Sequence, residues 1–272
     1  IVASDEAPVL WRKLADFGWG TDTRAATVAR CSLMPGGISQ VVEGLASTGD
    51  LAPCVVSHPG HGSVLVCWFD GDEGPNTGGM GVYSPPGFLS NDQAPATFGT
   101  VHAPVVATMA ADGAPFRGVL YAGLMVQEGE SSVVEFNVRF GDPEAQVILP
   151  QLESDLVDVM EACIEGRLGE TAVEWSGRPT VGVALASGGY PGSYETGKKI
   201  SGLNRVDEGV LVFHAGTKLT DDGSIVTAGG RVLTVVASGS TLADARELAY
   251  SNALRIEFEG KMLRSDIALR EL

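Results

Sequence analysis

Two neighbouring runs constrain the fold of this chain more than anything else in it. "RGVLYAGLMV" (117–126) and "SSVVEFNVRF" (131–140) are each about one strand long, and the "QEGE" between them reads as a hairpin turn centred on Gly129. Successive side chains of a strand point to opposite faces, so Glu135, Asn137 and Arg139 share one face while Phe136, Val138 and Phe140 share the other. The phenylalanine face requires a core. The opposite face sets a carboxylate and an amide oxygen a few ångströms apart. That is a donor pair for a hard cation such as Mg²⁺, which takes oxygen ligands and shares them with nucleotide phosphates. Arg139 can fork onto a phosphate or a carboxylate. A sheet with one wet face alternates in the same way without any chemical purpose, and pattern alone leaves both readings open.

Helices and further strands succeed the hairpin. In "GDPEAQVILP", Asp142 is placed to cap a helix and Pro143 suits its first position, because it has no N–H to leave unsatisfied. After Pro150, Leu152, Leu156, Val159, Met160 and Cys163 recur at helical spacing up to a stop at Gly166. From about 179 short strands dominate, "TVGVALAS", "GVLVFHAG" and "GGRVLTVVA", with a tight turn at "DDG" (221–223). "STLADARELAYSNALRI" is then a helix, with Thr241 and Asp244 spaced as a capping box. His214 in "FHAGTK" reads as a hydrogen-bonded structural histidine. Short strands, tight turns and a few helices make an α+β chain. Residues 1–66 have no clean period: a helix is expected around 7–16 and a strand in "GSVLVCWF" (62–69), but they assemble into no unit. The expected organisation is therefore 1–66 unassigned, 67–178, and 179–272.

Composition narrows the chemistry. The 272 residues carry 18 basic and 34 acidic side chains, a formal net charge of −16, which repels phosphate backbones and excludes sequence-independent nucleic-acid binding. An anionic substrate must then meet a local positive site. Glycine, at 36 residues, is roughly twice its usual share, which points to tight turns and close backbone approaches. In "GDEGPNTGGMGVYSP" (71–85), Gly78, Gly79 and Gly81 permit a nest of N–H groups for an anion, with Asp72, Asn76 and Thr77 adding side chains. The run is not a Walker motif, and an ordinary glycine-rich loop explains it equally well. His58 and His61 in "HPGH" lack helical context and a third ligand, so a metal there is not expected. The four cysteines form no C-x-x-C pair, which fits a reduced, cytoplasmic setting. No apolar run reaches the length of a membrane span, so no membrane is expected, and the start lacks a basic-then-apolar signal pattern. The first residue is Ile1 and not Met, so the true beginning is expected upstream.

Seven blocks in order, "GDEGPNTGGMGVYSP", "LYAGLM", "VVEFNVRFGDPEAQ", "SDLVDV", "SGGYPGSY", "FHAGT" and "TAGGRVL", closely resemble the C-terminal half of the phosphoribosylamine–glycine ligase (glycinamide ribonucleotide synthetase) family of the ATP-grasp superfamily. The resemblance implies the C-terminal lobe of an ATP-grasp module over 67–178, followed by a small strand-rich C-terminal domain over 179–272. It implies ligation of glycine to 5-phosphoribosylamine at the expense of ATP, through a glycyl phosphate, in purine biosynthesis. Carried over residue by residue, Glu135 and Asn137 become ligands of Mg²⁺ (or Mn²⁺) bridging the ATP phosphates, and Arg139 steadies the acyl phosphate. Asp72, Pro75, Asn76, Thr77, Gly78 and Asp142 line the substrate pocket. The partner strand, "YAGLM", supplies no carboxylate, as in this family and unlike other ATP-grasp branches.

The departures are as informative. The family's N-terminal domain, its ATP-covering subdomain and its adenine hinge have no counterpart in 1–66, and the match begins abruptly near Phe69. A fused or shifted reading frame would produce that pattern, and the alternative expectation is a fragment holding a metal and substrate half-site without turnover. Ala268, in "IALRE", stands where the family usually has glycine. Strands that another domain covers in the family leave apolar surface open here. The chain is therefore expected to melt at modest temperature or to associate, as sedimentation and thermal denaturation will show; a sharp, monomeric, high-temperature melt would contradict this.

Overall fold

A computed structural model of the chain describes residues 52–57, 63–68, 79–87, 96–127 and 130–272. The expected helix around 7–16, the His58/His61 pair and the run Asp72–Gly78 lie outside the described residues.

The expected hairpin is present. β4 (Tyr121–Gln127) pairs antiparallel with β5 (Glu130–Asn137), Gln127 opposite Glu130. A register shift between Gly123 and Leu124 sets Gly123 against Glu135 and Leu124 against Val133, the signature of a bulge on β5. The bulge puts Val133 and Phe136 on one face, where both pack against Val101, Ala122 and Leu124. The strand ends at Asn137, sooner than the alternation predicts. Val138, expected in the core, is instead 56% exposed, and Arg139 lies in the bend beyond the strand.

The hairpin forms one edge of an eight-stranded antiparallel sheet ordered β5-β4-β1-β2-β3-β6-β10-β7. Here β1 is Ala52–Ser57, β2 Ser63–Trp68, β3 Gly81–Ser84, β6 Thr180–Ala186, β7 Leu211–His214 and β10 Arg231–Ser238. β2 falls in the run "GSVLVCWF", as expected; β1 is a strand that the sequence did not reveal. These two pair with each other and bridge β4 to β3. β3 in turn pairs with β6, so the sheet runs unbroken from the hairpin into the C-terminal strands. β8 (Thr217–Leu219) and β9 (Ile225–Thr227) form a separate two-stranded ribbon, turned at the expected "DDG" by Gly223 at φ 78°.

Four α-helices are described: α1 (Ala103–Ala111), α2 (Glu144–Ile148), α3 (Leu156–Glu165) and α4 (Leu242–Ala253). α4 has the capping box: the Thr241 hydroxyl accepts from the Asp244 N–H and the Asp244 carboxylate from the Thr241 N–H, both at 3.1 Å. α3 ends on Gly166 at φ 76°, as expected, but begins later than its apolar pattern suggests. Asp155 caps it by accepting from the Val157 N–H at 2.7 Å, and Leu152 lies outside, bridged to Trp175. α2 differs more. Pro143, not Asp142, is its N-cap, and no side chain caps it. The Asp142 carboxylate accepts instead from Gln146 and Arg231, each at 2.9 Å, and a charge-assisted bond of that kind outcompetes a cap.

The main core lies between β6, β10 and α4, with Leu185, Leu233 and Ile256 fully buried. Burying each such side chain stabilises by about 1.5–3 kcal/mol. The C-terminal segment closes this core. Ile267 occupies the space that a Cβ on Gly81 would need, so glycine at 81 serves packing within β3. Ala268 adopts φ 59°, a left-handed conformation that costs a non-glycine residue about 1–2 kcal/mol. Its buried methyl returns about 0.8 kcal/mol, so alanine in place of the family's glycine is close to neutral. Gly81→Ala, by contrast, is expected to destabilise by about 1–3 kcal/mol in chemical denaturation. The penalty should shrink in an Ile267→Ala background; strict additivity of the two changes would contradict the contact.

Candidate functional site

The site is built at the open edge of the sheet, where β5 ends. Gly123 faces Glu135 across the hairpin, and a Cβ there would lie 3.1 Å from Glu135 Cγ, so glycine in "YAGLM" gives the carboxylate room. Glu135 is exposed, and Asn137 Nδ2 donates to Glu135 Oε1 at 2.8 Å. That bond holds the two head groups side by side and leaves Asn137 Oδ1 and Glu135 Oε2 for other partners. Two oxygens are too few for a protein-only cage, and among the described residues no group of three or more His, Cys, Asp or Glu can hold a metal. The pair fits a hard cation that completes its octahedron with water and phosphate oxygens.

Beyond Asn137 the chain turns sharply and gathers four charged side chains. Arg139 Nη1 donates to the Phe140 carbonyl at 2.8 Å. Gly141 lacks the Cβ that would overlap the Glu144 carboxylate, so Glu144 folds back over the turn and is only 4% exposed. The Tyr121 hydroxyl approaches Glu144 Oε1 at 3.5 Å. Burial raises the Glu144 pKa above the ordinary carboxylate value, and the neighbouring Asp142 charge raises it further; its own backbone N–H, Arg231 and Arg139 oppose the rise. Arg231, from the start of β10, donates Nη2 to Asp142 Oδ2 at 2.9 Å and Nη1 to the carbonyls of Asp142 at 3.0 Å and Gly79 at 3.2 Å.

Of the residues singled out from the sequence, Glu135 and Asn137 are brought together, and Arg139 and Asp142 lie on the turn after β5. Asp72, Pro75, Asn76, Thr77 and Gly78 are outside the described residues, although Gly79, the next in the chain, is tied to Asp142 through Arg231. His214 Nδ1 lies 3.0 Å from the Thr217 hydroxyl, the structural role expected of it. Glu144, Tyr121 and Arg231 were not anticipated as site residues. Glu144 reads as an acid favoured by a helix N-terminus, and Arg231 as the polar residue that opens an apolar strand. Neither pattern signals a shared site.

Comparison with known proteins shows the family and the fold. The family model for the ATP-grasp (A) domain of phosphoribosylglycinamide synthetase matches residues 66–145, and that for its C domain matches 180–270; together they take in more than half of the chain. Phosphoribosylamine–glycine ligase of Salmonella typhimurium is 48% identical over 206 residues, covering 75% of this chain and 48% of the relative. The chloroplastic enzyme of that name from Arabidopsis thaliana is 48% identical over 208 residues, covering 75% of this chain and 39% of its own. The chain thus spans about half the length of the bacterial curated relatives it matches. The crystal structure of phosphoribosylamine–glycine ligase from Thermotoga maritima superposes with a TM-score of 0.68 at 35% identity, over 80% of this chain and 55% of that one. A biotin carboxylase domain from Hydrogenobacter thermophilus, at 13% identity and a TM-score of 0.53, shares the fold alone. These matches bear out the expected architecture, an ATP-grasp lobe followed by a strand-rich domain.

Glu144 offers a direct test of the buried turn. A carboxyl whose folded pKa is raised favours folding below its unfolded value of 4.5, and that contribution is lost as pH rises through the folded pKa. Glu144→Gln removes the charging cost while keeping the shape. The variant is expected to melt higher than the parent at pH 7, with the gap closing as pH falls through the raised folded pKa towards 4.5. A pH-independent gap would contradict the assignment.

Proposed function

We propose that this chain, which belongs to the phosphoribosylglycinamide synthetase family, takes part in the ATP-dependent ligation of glycine to 5-phosphoribosylamine, a step of purine biosynthesis. The observation that carries the reading is the Glu135–Asn137 pair, exposed at the end of β5 with Gly123 opposite, inside a 206-residue match to enzymes bearing that name.

In this reaction the γ-phosphoryl group of ATP passes to the glycine carboxylate, giving ADP and glycyl phosphate. The amine of phosphoribosylamine then attacks the acyl carbon, phosphate leaves, and the amine loses a proton as the amide forms. Such chemistry depends on position and charge compensation more than on covalent catalysis by the protein. Glu135 and Asn137 would hold a divalent cation, Mg²⁺ or Mn²⁺, which when bound neutralises charge on the ATP phosphates. Arg139 provides a fixed positive charge beside the turn, suited to the acyl phosphate. In a chain of net charge −16, that local cation and arginine are what an anionic substrate requires. Asp142 and the run Asp72, Pro75, Asn76, Thr77 and Gly78 would line the pocket for phosphoribosylamine and glycine. The shared grip of Arg231 on Asp142 and on the Gly79 carbonyl supports their adjacency. No helix among the described residues is long and apolar enough to cross a membrane, and the proposed setting is cytoplasmic.

The test is ADP release from this chain that depends on both glycine and phosphoribosylamine. Glu135→Ala is expected to lower kcat by about 100-fold or more, the order expected when several kcal/mol of charge stabilisation is lost. Turnover indifferent to Glu135 or to glycine would overturn the reading. Mg²⁺ binding without turnover in the parent chain would instead mark a half-site.

A further inference from the structure

Three of the motifs, "SGGYPGSY", "FHAGT" and "TAGGRVL", carry none of the proposed ligands, yet they converge on one residue. A Cβ on Gly230 would stand 2.7 Å from Tyr190 Cε2, so glycine lets the tyrosine lie against the backbone that leads into Arg231. The Gly216 N–H donates to the Arg231 carbonyl at 2.9 Å, and a Cβ on Gly216 would come within 2.6 Å of that oxygen. Ser187 fastens the same corner, its N–H donating to the Gly230 carbonyl and its hydroxyl to the Gly229 carbonyl, both at 2.8 Å. Such packing leaves the backbone of Arg231 no freedom, and its side chain then points out of the C-terminal strands towards the turn after β5.

We propose that Arg231 is a positioning residue, which sets the Asp142 turn and the end of the 72–79 run against each other. Its three contacts reach partners 89 and 152 residues away in sequence. Stability is not their purpose. Asp142 is 53% exposed, and an ion pair so open to water contributes about 0–1 kcal/mol. The value of the arrangement is geometric. A planar guanidinium donates in fixed directions to a carboxylate and two carbonyls at once, which a lysine ammonium on its flexible stem cannot reproduce. Asp142 lies three residues after Arg139 on the turn leaving β5, so an error in that turn moves the arginine relative to the Glu135–Asn137 pair. A displacement of about 1 Å can cost 100-fold in rate. The consequence for turnover rests on the proposed ligation; the coupling of the two segments does not.

Hydrogen exchange read at single amides tests the coupling. The Ala145 N–H, bonded to the Gly141 carbonyl, and the Gln146 N–H, bonded to Pro143, report on the turn; the Ala184 N–H, bonded to the Met80 carbonyl, reports on the segment at Gly79. In Arg231→Ala, exchange at all three is expected to rise about tenfold or more while α4 amides stay within about twofold. In Arg231→Lys, protection should return at Ala145 and Gln146 and not at Ala184, because one ammonium recovers the Asp142 carboxylate without the Gly79 carbonyl. In the ligation assay the lysine variant should lose about tenfold in kcat with an unchanged KM for ATP. Unchanged exchange at the three reporters, or a uniform rise that includes α4, overturns the inference and leaves the ligase reading standing. A chain without turnover fails that reading while the exchange result still decides this one.

Discussion

Gly81 has no room for a side chain, because Ile267 fills the space where a Cβ would sit. That close approach seats the C-terminal segment against β3, which pairs with both β2 and β6. β3 is thus the strand that joins the hairpin half of the sheet to its C-terminal half. The candidate ligands lie on one half and Arg231 on the other, so the seam at β3 is what makes a shared site possible.

Across that seam the molecule solves an electrostatic problem. A strongly acidic chain must present positive charge wherever it handles anions, and the proposed site would do so with a few fixed groups and not with a basic surface. Arg139 lies on, and Arg231 reaches to, a turn that also holds Asp142 and the buried Glu144. Arg231 is engaged by Asp142 and two carbonyls, whereas Arg139 makes one bond to the adjacent carbonyl. The proposed division of labour follows those partners: one arginine would hold the turn, and the other would meet what enters it.

Features decided by neighbouring residues were legible in the chain. The β4–β5 hairpin, the Thr241–Asp244 capping box, the Gly166 stop and the "DDG" turn each depend on a few consecutive side chains, and each is present. The Glu135–Asn137 pair was visible for the same reason, since two positions along a strand return to one face. Misreadings arose where a distant partner intervened. Asp142 has the right place to cap α2, but Arg231, 89 residues away, takes its carboxylate. Val138 fits the alternation, but β5 stops at Asn137 and leaves it in solvent.

By itself the sequence determined the α+β class, the order of most elements, the family, and two oxygens on one face, because periodicity, caps and motif order are local properties of a chain. Only the tertiary structure decided that β1 and β2 lie between β4 and β3, that Glu144 is buried under a glycine turn, and that Arg231 reaches both Gly79 and Asp142. Those are contacts across up to 152 residues. Their energies depend on which surfaces meet in the folded chain, and no short window of sequence contains both surfaces.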